Sequence, residues 1–117
     1  ETMLRRGGSE TIPFAEWLSL TLGPNKDKRY YNRPQHFLPQ VEWLKDYQGR
    51  ITMDSVIRFE SLQDGYRWVA EDLGLPKVLP HLNATASVKY RDVYDEASRL
   101  LVARWFWEDL QAFEYEF

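Results

Sequence analysis

Apolar and polar positions alternate along the chain in patterns that separate helix from strand. The clearest stretch runs from Asp54 to Pro76. Val56, Ile57 and Phe59 form a short β-branched and aromatic run, which predicts a strand. Ser61 follows where a helix N-cap belongs, with Asp64 three residues on. Leu62, Tyr66, Val69, Ala70 and Leu73 then fall on one face at helical spacing, and Gly74 and Pro76 end the pattern. Before this unit, Phe14, Trp17, Leu18, Thr21 and Leu22 make a shorter amphipathic helix near 12–22, with Thr11 as its expected cap, Pro13 in its first turn and Gly23-Pro24 behind it. Val41–Lys45 and the run 52–59 flank Asp46-Tyr-Gln-Gly-Arg50, a spacing that predicts a β-hairpin. Pro39 bounds its first strand, which places that strand at an edge.

The last pattern, 92–112, predicts the longest helix, with Asp92, Asp95 and Glu96 at its electropositive start. Its apolar stripe changes sides. Val93, Tyr94, Ala97, Leu100 and Leu101 lie on one face, while Val102, Phe106, Leu110 and Phe113 lie on the other, flanked by Trp105 and Trp107. One core needs one stripe, so the second is expected to meet another body. Residues 101–113 are the expected interface, either of a homodimer or with an N-terminal half of the protein. The fold class expected is α+β, mainly α: three helices and a small hairpin. Residues 1–10, polar and glycine-containing, are expected to form a flexible arm before a single domain over 11–117.

Composition narrows the chemistry. The 117 residues include no Cys, which removes disulfides and thiolate metal sites. Only two His are present, His36 and His81, and they are isolated, so no metal cluster is expected. The net charge of -3 gives no overall nucleic-acid footprint. No stretch is long and apolar enough to span a membrane. No compartment is fixed by these features; in a bacterium they fit the cytoplasm. Catalytic triads and phosphate-cradling glycine loops are absent from the sequence. The pairs Glu71-Asp72 and Glu108-Asp109 are adjacent on helices and point apart, as solvated faces do.

Two loops hold candidate ligand contacts. Residues 23–36 mix Lys26, Lys28, Arg29 and Arg33 with Tyr30 and Tyr31. Cations among tyrosines can hold a phosphate, a sulfate or a single strand, or the tyrosines can pack back on the body. In the second loop, His81 is either a ligand contact or a hydrogen-bonded structural residue. Asn83-Ala-Thr85 also matches a glycosylation sequon.

Four runs in order carry a resemblance: Asp54-x-Val-x-Arg-Phe-Glu-x-Leu62, Leu79-Pro-His-x-Asn83, Tyr90-Arg-Asp-x-Tyr94-Asp95 and Asp109-x-x-x-Phe113-x-Tyr115-x-Phe117. Together with Pro39-Gln40, they make residues 34–117 resemble the C-terminal part of family 2 sulfotransferases. Those are the carbohydrate and nodulation-factor enzymes that use PAPS, 3′-phosphoadenosine 5′-phosphosulfate, in a P-loop-like fold. The resemblance implies PAPS or its bisphosphate product PAP as cofactor, with no metal. It places Lys89, Tyr90 and Arg91 in the loop that closes over the nucleotide, and Glu60 at a junction where it caps the next turn. His81, Asn83, Tyr30 and Tyr31 are the candidate substrate contacts. The sulfate-gripping loop and the residues that hold the 3′-phosphate belong to the family's N-terminal half. These 117 residues do not contain them, so no catalytic residue carries over. The expectation is a sulfotransferase-related C-terminal domain or remnant that is not competent alone. The alternative is a stand-alone helical binding or oligomerisation module.

Overall fold

A computed structural model describes residues 3–5, 11–82 and 89–117. Mainly helical architecture holds: α1 (Phe14–Leu22), α2 (Leu62–Leu73), α3 (Glu96–Trp105) and α4 (Trp107–Ala112) carry most of the regular structure. Two three-residue strands, β1 (Met3–Arg5) and β2 (Thr11–Pro13), pair antiparallel with Met3 opposite Pro13. The arm expected over residues 1–10 contains β1 at 3–5; its other positions lie outside the described residues. Thr11 belongs to β2 rather than capping α1, which starts behind Pro13 without a side-chain cap.

The core sits between α1 and α3. Leu18 and Leu22 are buried on α1, and the small residues Thr21 and Ser98 are buried beside them. Both hydroxyls are satisfied within their own helix: Thr21 donates to the Trp17 carbonyl at 2.9 Å, and Ser98 to the Asp95 carboxylate at 2.6 Å. A buried hydroxyl costs little once it is bonded, and its small size permits a close helix approach. Aromatic edges extend this core. Phe14 meets Tyr94 at 5.1 Å between ring centroids, and Trp17 meets Phe37 at 5.9 Å.

The last helix departs from expectation in three ways. It starts at Glu96, not near 92, because Asp95 and Ser98 form a reciprocal capping box and Tyr90–Asp92 turns as a separate 3₁₀ segment. It breaks at Phe106, between α3 and α4. Anchors stand on either side of that break: the Trp105 indole donates to the Phe37 carbonyl at 2.6 Å, and the Asp109 carboxylate takes the N–H groups of Gln40 and Val41 at 2.8 Å each. Its inward face also differs, since Ser98 is buried while Ala97 and Leu100 are exposed.

The expected hairpin is reduced to one antiparallel bridge, Lys45 to Ile51. Asp109 draws Gln40–Trp43 into a 3₁₀ turn, so the first strand never forms. The Asp46 carboxylate meanwhile closes the intervening loop on the N–H groups of Gln48 and Arg50. Beyond Ile51 the chain has no ladder and leads to a 3₁₀ turn at Phe59–Ser61 and then α2. Ser61 occupies the N-cap of α2 without a side-chain bond, and Gly74 ends that helix at φ 67°, the left-handed conformation that favours glycine. Ile57 lies over Gly65 so closely that a β-carbon there would come within 2.4 Å of its Cγ2. Any side chain at Gly65 would push the extended segment off α2.

Candidate functional site: an aromatic cleft at the start of α3

The 3₁₀ turn at Tyr90–Asp92 and the cap of α3 bring three rings together. Tyr94 meets Tyr90 at 6.5 Å and Phe117 at 4.9 Å, both edge to face, while Tyr90 and Phe117 lie nearly parallel at 6.1 Å. These rings, with Arg91 and Arg99, line a cleft of about 150 Å³. Arg99 donates to both oxygens of Glu96 and, at 2.6 Å, to the Phe117 main-chain oxygen, which fixes that ring as a wall. The Asp95 carboxylate is occupied by the Ser98 N–H and hydroxyl. Arg91 lies 5.3 Å over the Tyr90 ring and has no carboxylate partner among the described residues. A guanidinium stacked on a ring, without a carboxylate partner among the described residues and beside flat apolar walls, suits a ligand with a planar ring and an anionic group.

The titrating groups follow the same contacts. The Ser98 side-chain bond holds Asp95 below its ordinary 3.8, and the Arg99 bond holds Glu96 below its ordinary 4.5. Burial against the other rings pushes the Tyr94 phenol up. A carboxylate held below its unfolded pKa contributes stability that is complete above the unfolded value and is lost as pH falls through the folded one. The melting temperature should therefore drop as pH is lowered below about 4, and an Asp95→Asn variant should show a shallower drop. A melting temperature flat from pH 5 to about 2.5 would remove the capping box from the acid response.

The sequence-derived candidates are only partly brought together. Tyr90 and Arg91 line the cleft, whereas Lys89 is exposed beside it and is not part of its wall. His81 lies in a separate groove of about 270 Å³ with Leu79 and Phe59. It is exposed and makes no hydrogen bond among the described residues, so the structural alternative for it gains no partner. Asn83 and the sequon fall outside the described residues. Tyr31 packs on Phe37 at 5.1 Å and on Trp105 at 6.5 Å, with the Lys26 ammonium 4.5 Å over the Trp105 ring. Tyr30 has the Arg29 guanidinium 5.6 Å over its ring. Lys26, Arg29, Tyr30 and Tyr31 thus pack within the basic loop and on the body, Lys28 and Arg33 are exposed, and none of the six lines the cleft. Tyr94, Arg99 and Phe117 complete the cleft and were not singled out from sequence as ligand contacts. The i, i+4 spacing of Tyr90 and Tyr94 was the available signal for one of them.

Glu60 does not cap the next turn. It accepts the Tyr115 hydroxyl at 2.6 Å, which holds its carboxyl below the usual range and pushes the phenol up. Arg58 stacks 4.9 Å from the Tyr115 ring and donates to the carbonyls of Phe113 and Glu114. The Arg-Phe-Glu run therefore fastens the C-terminal segment that ends at the cleft.

Among the described residues, no group of His, Asp and Glu is placed to hold a metal. No helix there is long and apolar enough to cross a membrane. Comparison with protein-family models, curated proteins and solved structures finds no match.

Proposed function

We propose that the chain is the nucleotide-covering, C-terminal part of a PAPS-dependent sulfotransferase-like protein, and that the cleft binds the adenosine bisphosphate. The observation that carries this reading is Arg91, stacked on Tyr90 and without a carboxylate partner among the described residues, set beside the Tyr94 and Phe117 rings. A base can stack on such rings, and a phosphate can take two parallel N–H bonds from a guanidinium. Sulfuryl transfer also needs cations placed on the leaving phosphate, and the family's gripping loop is not among these residues. Binding without turnover is therefore the expected behaviour of this chain. The partner in this reading is the half that carries that loop, or a second copy of the chain through residues 101–113. Of the second stripe there, Trp105, Phe106, Leu110 and Phe113 are half-buried within the chain and Trp107 is largely exposed.

A separate observation favours a body larger than this chain. Its accessible surface is 9676 Å², against about 6,700 Å² for a compact monomer of this size. Its radius of gyration is 17.2 Å, against about 13 Å. The same openness suits the alternative, a stand-alone binding and oligomerisation module.

Calorimetric titration with adenosine 3′,5′-bisphosphate tests the nucleotide reading. Binding is expected, and Arg91→Ala should weaken it about tenfold, the equivalent of one charge-assisted hydrogen bond. Lys89→Ala should change it by less than about twofold, because Lys89 is outside the wall. Absence of binding, or equal binding by wild type and the Arg91→Ala variant, would refute the site. Turnover of PAPS with a sugar acceptor by the purified chain would refute the claim that it is incompetent alone.

A further inference from the structure

The cleft at the start of α3 is too small for the ligand it suits. Its volume is about 150 Å³, whereas clefts that bury a drug-sized ligand run to about 300–1,000 Å³. A wall must therefore move. All but one of its lining residues lie in 90–99, where the 3₁₀ turn and the Asp95–Ser98 capping box fix the backbone. The exception is Phe117. Among the described residues, neither 116 nor 117 makes a main-chain to main-chain hydrogen bond. Phe113, Tyr115 and Phe117 are half-buried while Glu114 and Glu116 are exposed, so this segment lies along the body as a strap.

The strap leaves α4 at a strained residue. Glu114 has φ 55° and is the one non-glycine residue with positive φ among the described residues. The Tyr115 N–H closes the helix end there on the Leu110 carbonyl at 3.0 Å. A residue with a side chain keeps this conformation only where its surroundings hold it. Side chains do the holding. Arg58 donates to the Phe113 and Glu114 carbonyls, Glu60 accepts the Tyr115 hydroxyl, and Arg99 donates to the Phe117 main-chain oxygen. All of these can break without unfolding a helix. We propose that residues 114–117 are a lid on the cleft, hinged at Glu114, whose opening admits the ligand and transfers the Arg99 guanidinium from the Phe117 oxygen to a second anionic group on that ligand. On the nucleotide reading above, which this lid presupposes, the two phosphates of adenosine 3′,5′-bisphosphate meet separate cations, Arg91 and Arg99. Glu96 keeps the other two nitrogens of Arg99 in place, so the freed nitrogen stays at the cleft. Tyr90 and Tyr94 remain to stack the base. Glu60 and Tyr115 touch no ligand; they are positioning residues that hold the lid shut.

The sign of one substitution separates a lid from a fixed wall. Tyr115→Phe removes the hydroxyl and keeps the ring that Arg58 stacks on. A lid that must open lowers the apparent affinity by the fraction of molecules in which it is shut. The variant should therefore bind adenosine 3′,5′-bisphosphate about three- to tenfold more tightly than wild type in calorimetry, and Glu60→Ala should act in the same direction. Loosening a fixed wall would weaken binding instead. Arg99 is tested by a ratio, which cancels its effect on the lid. The wild-type chain should prefer the bisphosphate to adenosine 5′-monophosphate by at least about tenfold, and Arg99→Ala should reduce that preference below about threefold. The chain has no cysteine, so a nitroxide on Glu116→Cys reports the lid without any ligand. Its mobile fraction should rise in the Tyr115→Phe background and on addition of the bisphosphate. Binding no tighter in Tyr115→Phe, or a label no more mobile there, would overturn the lid while the nucleotide reading stands. An undiminished preference in Arg99→Ala would overturn the transfer of Arg99. A label freed by Tyr115→Phe in a chain that binds neither nucleotide would overturn the nucleotide reading and, with it, the admission of that ligand.

Discussion

Leu18→Ala should cost about 3–4 kcal/mol of folding stability, the largest loss expected from any single substitution in this chain. Leu18 is 3 % exposed in the layer where α1 packs on α3. Among the described residues, the only other buried apolar side chains are Leu22, Val41 and Ala70. A core this small can neither collapse around a cavity nor redistribute the loss. The deleted methyl groups forfeit their transfer free energy, and the neighbouring Thr21 and Ser98 are too short to fill the space. A domain of this length typically has only about 6–15 kcal/mol in hand, so the variant should be substantially less folded at 37 °C. Urea unfolding followed by tryptophan fluorescence measures the difference. Leu73→Ala, at a position 64 % exposed, is the control and should change stability by less than about 0.5 kcal/mol. A Leu18→Ala loss below about 1 kcal/mol would mean that the α1–α3 layer is not the structural centre.

Local signals located the elements whose ends are set by their own residues. Helical spacing and Gly23 marked α1 to within two residues, and Gly74 at positive φ ends α2 where the pattern stops. The hairpin failed because its fate is decided far away in sequence: Asp109, almost seventy positions on, captures the N–H groups that the first strand needed. The start of α3 was misplaced because three acidic residues near it all suit a helix dipole, while only Asp95 has Ser98 at the spacing that closes a capping box. The break at Phe106 had no proline or glycine to announce it. It stands between the anchors of Trp105 and Asp109, which are tertiary contacts. The site divides in the same manner. Tyr90 and Arg91, expected from the sequence to lie together, do line one cleft, but Phe117 becomes a wall only because Arg99 holds its main-chain oxygen and Glu60 holds Tyr115 two residues earlier.

Asp109→Ala should lower stability by about 2–3 kcal/mol, which for a chain of this size corresponds to roughly 8–15 °C in melting temperature. The Asp109 carboxylate receives two main-chain N–H groups, from Gln40 and Val41, at 2.8 Å each. Charge-assisted bonds of this kind are about twice as strong as neutral ones, and Val41 is buried, so its freed N–H has little water to turn to. The neighbouring ion pair of Lys45 with Glu108, at 2.9 Å, cannot substitute. It is partly exposed, and pairs of that kind contribute about 0–1 kcal/mol. Loss of the carboxylate therefore frees the turn at Gln40–Trp43 from α4. Asp109→Asn keeps one acceptor oxygen and should lose about half as much. Amide hydrogen exchange gives the site-specific readout: Gln40 and Val41 should lose protection in Asp109→Ala, while the amides of α1 keep theirs at temperatures below the transition. A shift of less than about 2 °C with those two amides still protected would show that the turn is held by its own 3₁₀ geometry. Asp109 would then have no structural role in tying the C-terminal helix to residues 40–43.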